Sequence, residues 1–149
     1  MKIEDLKIKK LNETATIPTY GTEYSAGADL YAALENDTEI KPGETIMIGT
    51  KLAMEIPIGF VGLIFARSSL GSKKGLAPAN KVGVIDSDYR GEVKVPLFNH
   101  SNSTQTITKN ERIAQIIFIP YLKANFIETD NLEETIRGTG GFGSTNKNA

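Results

Sequence analysis

Short runs rich in β-branched and aromatic residues, each closed by Pro, Gly, Asn or Asp, recur along most of the 149-residue chain and leave little room for helices. The runs are Lys2–Leu11, Ala28–Ala32, Thr45–Gly49, Leu52–Ile56, Val61–Ala66, Val93–Phe98, Thr104–Thr108, Ile113–Pro120 and Lys123–Glu128. Lys41-Pro42-Gly43, Pro57-Ile58-Gly59 and Asn99-His100-Ser101-Asn102 read as turns, and Leu76 to Val82 as a loop. Val93, Val95 and Leu97 alternate with Glu92, Lys94 and Pro96, the pattern of a half-buried strand with Pro96 at an edge or bulge. Helix signals are few. Asp130-Asn131-Leu132-Glu133 resembles a capping box opening about one turn, and Ser68 or Ser69 is placed to cap another short one. Many short strands with regular turns predict an all-β domain of sandwich or barrel type.

Charge narrows the function. Seventeen basic residues against eighteen acidic leave a formal charge of −1, which gives no general field for a polyanion and argues against nucleic-acid binding. Any phosphate recognition must come from a few local groups. With no cysteine there is neither a disulfide nor a thiolate metal site, which fits a reducing compartment. The start, MKIEDLKIKK, lacks the apolar stretch of a secretion signal. The longest apolar stretch, Ile113 to Leu122, is interrupted by Gln115 and Pro120 and is too short to span a bilayer. A soluble, cytoplasmic protein with no membrane partner is expected. The only histidine, His100, sits in a polar turn and reads as a surface residue.

Residues 137–145, Arg-Gly-Thr-Gly-Gly-Phe-Gly-Ser-Thr, are the most unusual segment. Glycines allow close backbone approach, and Arg, Ser, Thr and bare N–H groups suit phosphate oxygens. Phe142 has nothing local to pack on, so the face of a planar ligand is a natural partner. The segment reads either as a flexible lid for a nucleotide or as a disordered Gly-rich tail. It follows an expected core, residues 1–129, as part of a C-terminal arm, residues 130–149.

Four further segments have compositions unlike ordinary strands and turns: Ser25 to Tyr31 (SAGADLY), Ala66 to Leu70 (ARSSL), Gly83 to Glu92 (GVIDSDYRGE) and Glu111 to Ile116 (ERIAQI). With the tail they make five, and in this order they resemble the five motifs of the trimeric dUTPase family, across about Ser25 to Thr145. The third and fifth match most closely. The resemblance implies a jelly-roll-like β-barrel or sandwich, a flexible Gly-rich arm, and hydrolysis of dUTP to dUMP and pyrophosphate. It also implies Mg²⁺ held by the triphosphate and water, with no direct protein ligand. A homotrimer is implied too, each site assembled from all three chains.

Residue by residue, the resemblance makes Asp86 the catalytic carboxylate, deprotonating a water for attack on the α-phosphorus. Taken alone, Asp-Ser-Asp is also ordinary turn chemistry. Tyr89 would pack under the deoxyribose and exclude a 2′-hydroxyl, and Lys94 lies near the site on the following strand. Asn80, six residues before Asp86, would read uracil together with main-chain atoms of Val84 and Ile85. Arg67, Ser68 and Ser69 would hold phosphate, with Ser68 near the α,β-bridging oxygen. Here the chain departs from the family, carrying Ala66 for the usual Pro and Ser69 for the usual Gly. Gln115 matches a phosphate-contacting Gln, and an interior strand Gln bonded to backbone is a compatible reading. Asn110-Glu111 replaces the more usual Gly-Asp, a neutral change. Asp29 would organise the metal–phosphate region from behind, or fix a strand end. Arg137, Gly143, Ser144 and Thr145 would bind the β and γ phosphates, with Phe142 stacked on uracil for about 1–3 kcal/mol.

A dCTP deaminase shares the fold and a similar Ile-Asp motif, but places a catalytic Glu ten residues past the Asp. That position is Pro96 here, which can move no proton. Two non-catalytic readings stand beside hydrolysis: a nucleotide-sensing module without turnover, and a structural β-sandwich with a disordered tail.

Overall fold

The structure, a computed structural model, describes residues 5–142. Twelve strands form within it: β1 (Lys7–Lys10), β2 (Thr19–Tyr20), β3 (Ala28–Tyr31), β4 (Thr38–Ile40), β5 (Thr45–Gly49), β6 (Leu52–Glu55), β7 (Phe60–Phe65), β8 (Leu76–Pro78), β9 (Gly83–Ile85), β10 (Lys94–Asn99), β11 (Gln105–Ile107) and β12 (Arg112–Pro120). A single π-helical turn, Leu70–Lys74, separates β7 from β8. The fold is all-β. The strands pair antiparallel in the orders β2-β3-β12-β7-β9, β5-β10-β8, β1-β6 and β11-β4. No helix among the described residues is long and apolar enough to cross a membrane.

One core joins the sheets. Leu30, Ile40, Ile48, Leu52, Leu76, Val95, Leu97, Ile107, Ile113 and Ile116 come from eight different strands and are fully buried in a single cluster. Alternation supplies the inward face: Val93, Val95 and Leu97 are buried, while Lys94 is exposed. Pro96, expected at an edge or bulge, instead lies in the middle strand of three, opposite Met47. Its missing N–H faces the end of β8, where Ala79 N donates to the Pro96 carbonyl at 2.7 Å just past the last paired residue, Pro78. The ladder therefore loses one bond at its final rung, where the loss matters least.

Two expected elements do not form. Lys123–Glu128 is exposed throughout and pairs with no strand of the described chain, and an unpaired strand cannot satisfy its backbone. The turn expected at Asp130 is also absent. Thr129 Oγ1 donates to the Asn131 carbonyl at 3.0 Å, and Leu132 and Ile136 are exposed, so a helix there has no face to bury. The segment read as a loop, Leu76 to Val82, begins as β8 because β10 offers it a partner at Asn99, Phe98 and Leu97.

A candidate active site in two clefts

The middle of the five-stranded sheet builds the first cleft. Register places Asp29 of β3 and Phe65 of β7 on either side of Gln115 in β12. Asp29 Oδ1 accepts from Arg67 Nε at 2.6 Å, and its Oδ2 accepts from Arg112 Nη1 at 3.2 Å. The Asp29 side chain is only 12% exposed, so these two guanidiniums balance a carboxylate largely removed from water. Arg67 Nη1 also donates to Ser69 Oγ at 3.3 Å. Gln115 Nε2 donates to the Ala66 carbonyl at 2.9 Å, tying β12 to the loop that carries Arg67. Gly27 leaves space for this amide, since a Cβ there would collide with Gln115 Oε1. Arg67, Ser68, Arg112 and Gln115 thus line a cleft of about 390 Å³ with Asp29 and residues 21 and 25–27.

Ser69 precedes the π-helical turn, but its side chain makes no capping bond. Its hydroxyl is engaged by Arg67 instead, so the expected serine cap is replaced by a brace on the guanidinium. Ser69 lines a neighbouring cleft with Lys73, Lys74 and Glu111, which also touches Arg67 and Arg112. The Asn110 substitution is accommodated by a left-handed backbone, φ 61°, a region Asn tolerates better than most residues. Its Oδ1 accepts from Thr16 Oγ1 at 2.6 Å.

The second cleft, about 360 Å³, gathers Asn80, Val84, Ile85, Asp86, Tyr89 and Lys94 with Met47, Glu92 and Pro96. Asn80 stands in the turn between β8 and β9, closed by Val82 N donating to the Asn80 carbonyl at 2.7 Å. Asp86 directly follows β9 and is exposed, and Tyr89 N donates back to its carbonyl at 3.2 Å. Tyr89 lies across Gly91 with its hydroxyl donating to the Glu92 carbonyl at 3.0 Å. Lys94 Nζ is 3.6 Å from Glu92 Oε2.

Within one chain the two clefts stand apart. Ile85, just before Asp86, pairs with Gly62, while Arg67 lies five residues further along the β7 direction. At the rise of an extended chain that separates Asp86 from Arg67 by roughly 15–20 Å. The described part of the arm, residues 130–142, lines neither cleft. Arg137 Nε donates to the Gly140 carbonyl at 2.9 Å, and Phe142 is exposed with φ 48°. Gly143, Ser144 and Thr145 lie outside the described residues.

Arg112 was not among the residues singled out from the sequence. Arg112 and Gln115, three apart, would face opposite sides of a regular strand. A bulge between Arg112 and Ala114 buries Ile113 and Ala114 in succession and brings Arg112 to the face of Gln115. The adjacent apolar pair Ile113-Ala114 was the one signal of it in the sequence.

Comparison with known proteins bears on this arrangement. The dUTPase family profile matches residues 13–146. A deoxyuridine 5′-triphosphate nucleotidohydrolase of Nautilia profundicola is 53% identical, the match covering 95% of this chain and 99% of that one. One from Desulfitobacterium hafniense is 45% identical, covering 97% and 96%. Among solved structures, the dUTPase of Staphylococcus bacteriophage 80alpha with dUPNHPP superposes with a TM-score of 0.87 at 27% identity, covering 95% of this chain and 98% of that one. Five motifs in order, the all-β architecture and these relatives lead to one conclusion: the chain belongs to the dUTPase family, enzymes that hydrolyse deoxyuridine 5′-triphosphate.

Proposed function

We propose that the chain converts dUTP and water to dUMP and pyrophosphate in a homotrimer, at sites that join the Asp86 cleft of one protomer to the Arg67 cleft of another. The observation that carries the shared site is the register: Asp86 and Arg67 stand at opposite ends of β7, too far apart to act on one phosphate group within a chain. The apolar groove of Ile58, Val61, Leu63, Ile119, Leu122 and Phe126, and an arm with exposed Leu132 and Ile136, supply surface for the contact between copies.

In this mechanism Asp86 accepts a proton from water as the water oxygen attacks the α-phosphorus. The bond from the α-phosphorus to the bridging oxygen breaks, and pyrophosphate leaves with the electron pair. Asp86 suits the role because it is exposed to solvent and lines the cleft beside Tyr89. Ser68 and Arg67 meet the leaving group, Ser69 braces Arg67, and Gln115 adds a neutral donor. Asn80 and the β9 backbone at Val84 and Ile85 read uracil, where an unpaired buried polar group rejects cytosine. Tyr89 closes the space of a 2′-hydroxyl, and Lys94 adds positive charge at the mouth. The arm, residues 130–149, carries the nucleotide lid, with Arg137, Gly143, Ser144 and Thr145 meeting the β and γ phosphates and Phe142 over the base.

Both Asp29 oxygens are taken by guanidiniums, so the Arg67 cleft offers donors suited to phosphate oxygens rather than ligands for a cation. That donor set fits Mg²⁺ carried by the triphosphate and water, where it would neutralise phosphate charge. Acting in the cytoplasm, the reaction would keep uracil out of DNA and supply the precursor of thymidylate. The test is hydrolysis in ¹⁸O-water with Mg²⁺, offering dUTP, dCTP, dTTP and UTP. Label in dUMP, from dUTP alone, is the expected result; label in pyrophosphate would place attack on the β-phosphorus and remove Asp86 from this role.

A further inference from the structure

We propose that Arg112 is a positioning residue that keeps Arg67 available to the substrate phosphates by occupying the second oxygen of Asp29. In the cleft one carboxylate faces two guanidiniums, leaving one net positive charge where a polyphosphate would bind. Without Arg112 that balance falls to zero. A lone Arg–carboxylate pair also tends to become bidentate, with two parallel N–H···O bonds.

Geometry shows what would then be lost. Arg67 now directs Nε at Asp29 Oδ1 and Nη1 at Ser69 Oγ, each oxygen taking one of its five N–H donors. The Arg67 side chain is 20% exposed and its guanidinium is braced on both sides, so its remaining donors have a fixed direction. Arg112 approaches from the bulged start of β12, is 51% exposed, and anchors Oδ2 at 3.2 Å. Removing it frees the Asp29 carboxylate to rotate onto Arg67 and draw its N–H groups inward. The bulge has a purpose on this reading: it turns Arg112 onto the face where Gln115 and Asp29 already lie.

This inference rests on the dUTPase reading for the identity of the anion, and the test separates the two. Inorganic pyrophosphate binding and steady-state dUTP hydrolysis are measured for the wild-type chain, Arg112→Ala and Arg112→Lys. Arg112→Ala is expected to raise the pyrophosphate Kd and the dUTP KM about tenfold with kcat changed much less, the signature of lost uniform binding. Its ionic-strength dependence should flatten, because one charge is gone. Arg112→Lys keeps the charge and one N–H, and should recover most of the loss. In an Asp29→Asn background, where no carboxylate can capture Arg67, the Arg112→Ala effect should shrink. Unchanged Kd and KM in Arg112→Ala, or a Lys variant as weak as the Ala variant with both melting early, would overturn the proposal. Arg112-dependent pyrophosphate binding by a wild-type chain that leaves dUTP intact would overturn the hydrolase reading and leave this inference standing.

Discussion

Gly91→Ala is the perturbation that most sharply isolates the sugar-facing role proposed for Tyr89. A Cβ at residue 91 would sit 2.9 Å from Tyr89 Cε2 and closer still to Cζ and the hydroxyl, below any ordinary carbon contact. Tyr89 is 44% exposed, so the ring has room to retreat. Restoring van der Waals distance requires a shift of roughly 0.5–1 Å and breaks the 3.0 Å bond from the hydroxyl to the Glu92 carbonyl. One neutral hydrogen bond is worth about 0.5–1.5 kcal/mol, so the melting temperature should fall by only about 1–6 °C. The effect on selectivity should be larger. If the ring is the wall that excludes a 2′-hydroxyl, moving it lowers the dUTP-over-UTP preference in kcat/KM at least about tenfold, or about 1.4 kcal/mol. Both substrates are assayed on one preparation. A lowered melting temperature with an unchanged dUTP/UTP ratio would refute the steric role of Tyr89.

Asp86→Asn should lower kcat by about 10²–10⁴-fold while dUTP still binds, and circular dichroism should show an intact fold because the side chain is exposed. Leu97→Ala removes a fully buried side chain from the middle of β10 and should destabilise by about 2–5 kcal/mol in urea unfolding. Phe142→Ala should reduce kcat/KM without moving the melting temperature, since the ring is fully exposed among the described residues; an unchanged rate would count against a stacking lid.

Alternation and turn chemistry made the long strands legible: Thr45–Gly49 matches β5 end to end, and Ile113–Pro120 differs from β12 only by Arg112. Two- and three-residue strands such as β2, β4 and β9 carry too few residues for a period to register and exist because neighbours offer them ladders. Local signals overreached after β12, where Lys123–Glu128 and Asp130–Glu133 have the right residues but stay exposed and pair with no strand among the described residues. The Asp86 cleft was legible through the family resemblance, which named Asn80, Val84, Ile85, Asp86 and Tyr89, and these residues do line one cleft. The Arg67 cleft was readable for Asp29, Arg67, Ser68 and Gln115, but the bulge hid Arg112. Glu92, which accepts from Lys51 N at 3.0 Å and pairs with Lys51 and Lys94, is a contact of chain folding that no local pattern announces.

The central claim, that Asp86 and Arg67 of different chains act on one substrate, is tested most directly by mixing two inactive proteins. Asp86→Asn and Arg67→Ala chains are unfolded together in equal amounts, refolded, and assayed for pyrophosphate release from dUTP. Random assembly with sites shared between neighbours restores both groups in about one quarter of the sites, so about one quarter of wild-type activity should return. Activity no greater than the sum of the two separate variants, in refolded protein of wild-type size, would contradict the shared site.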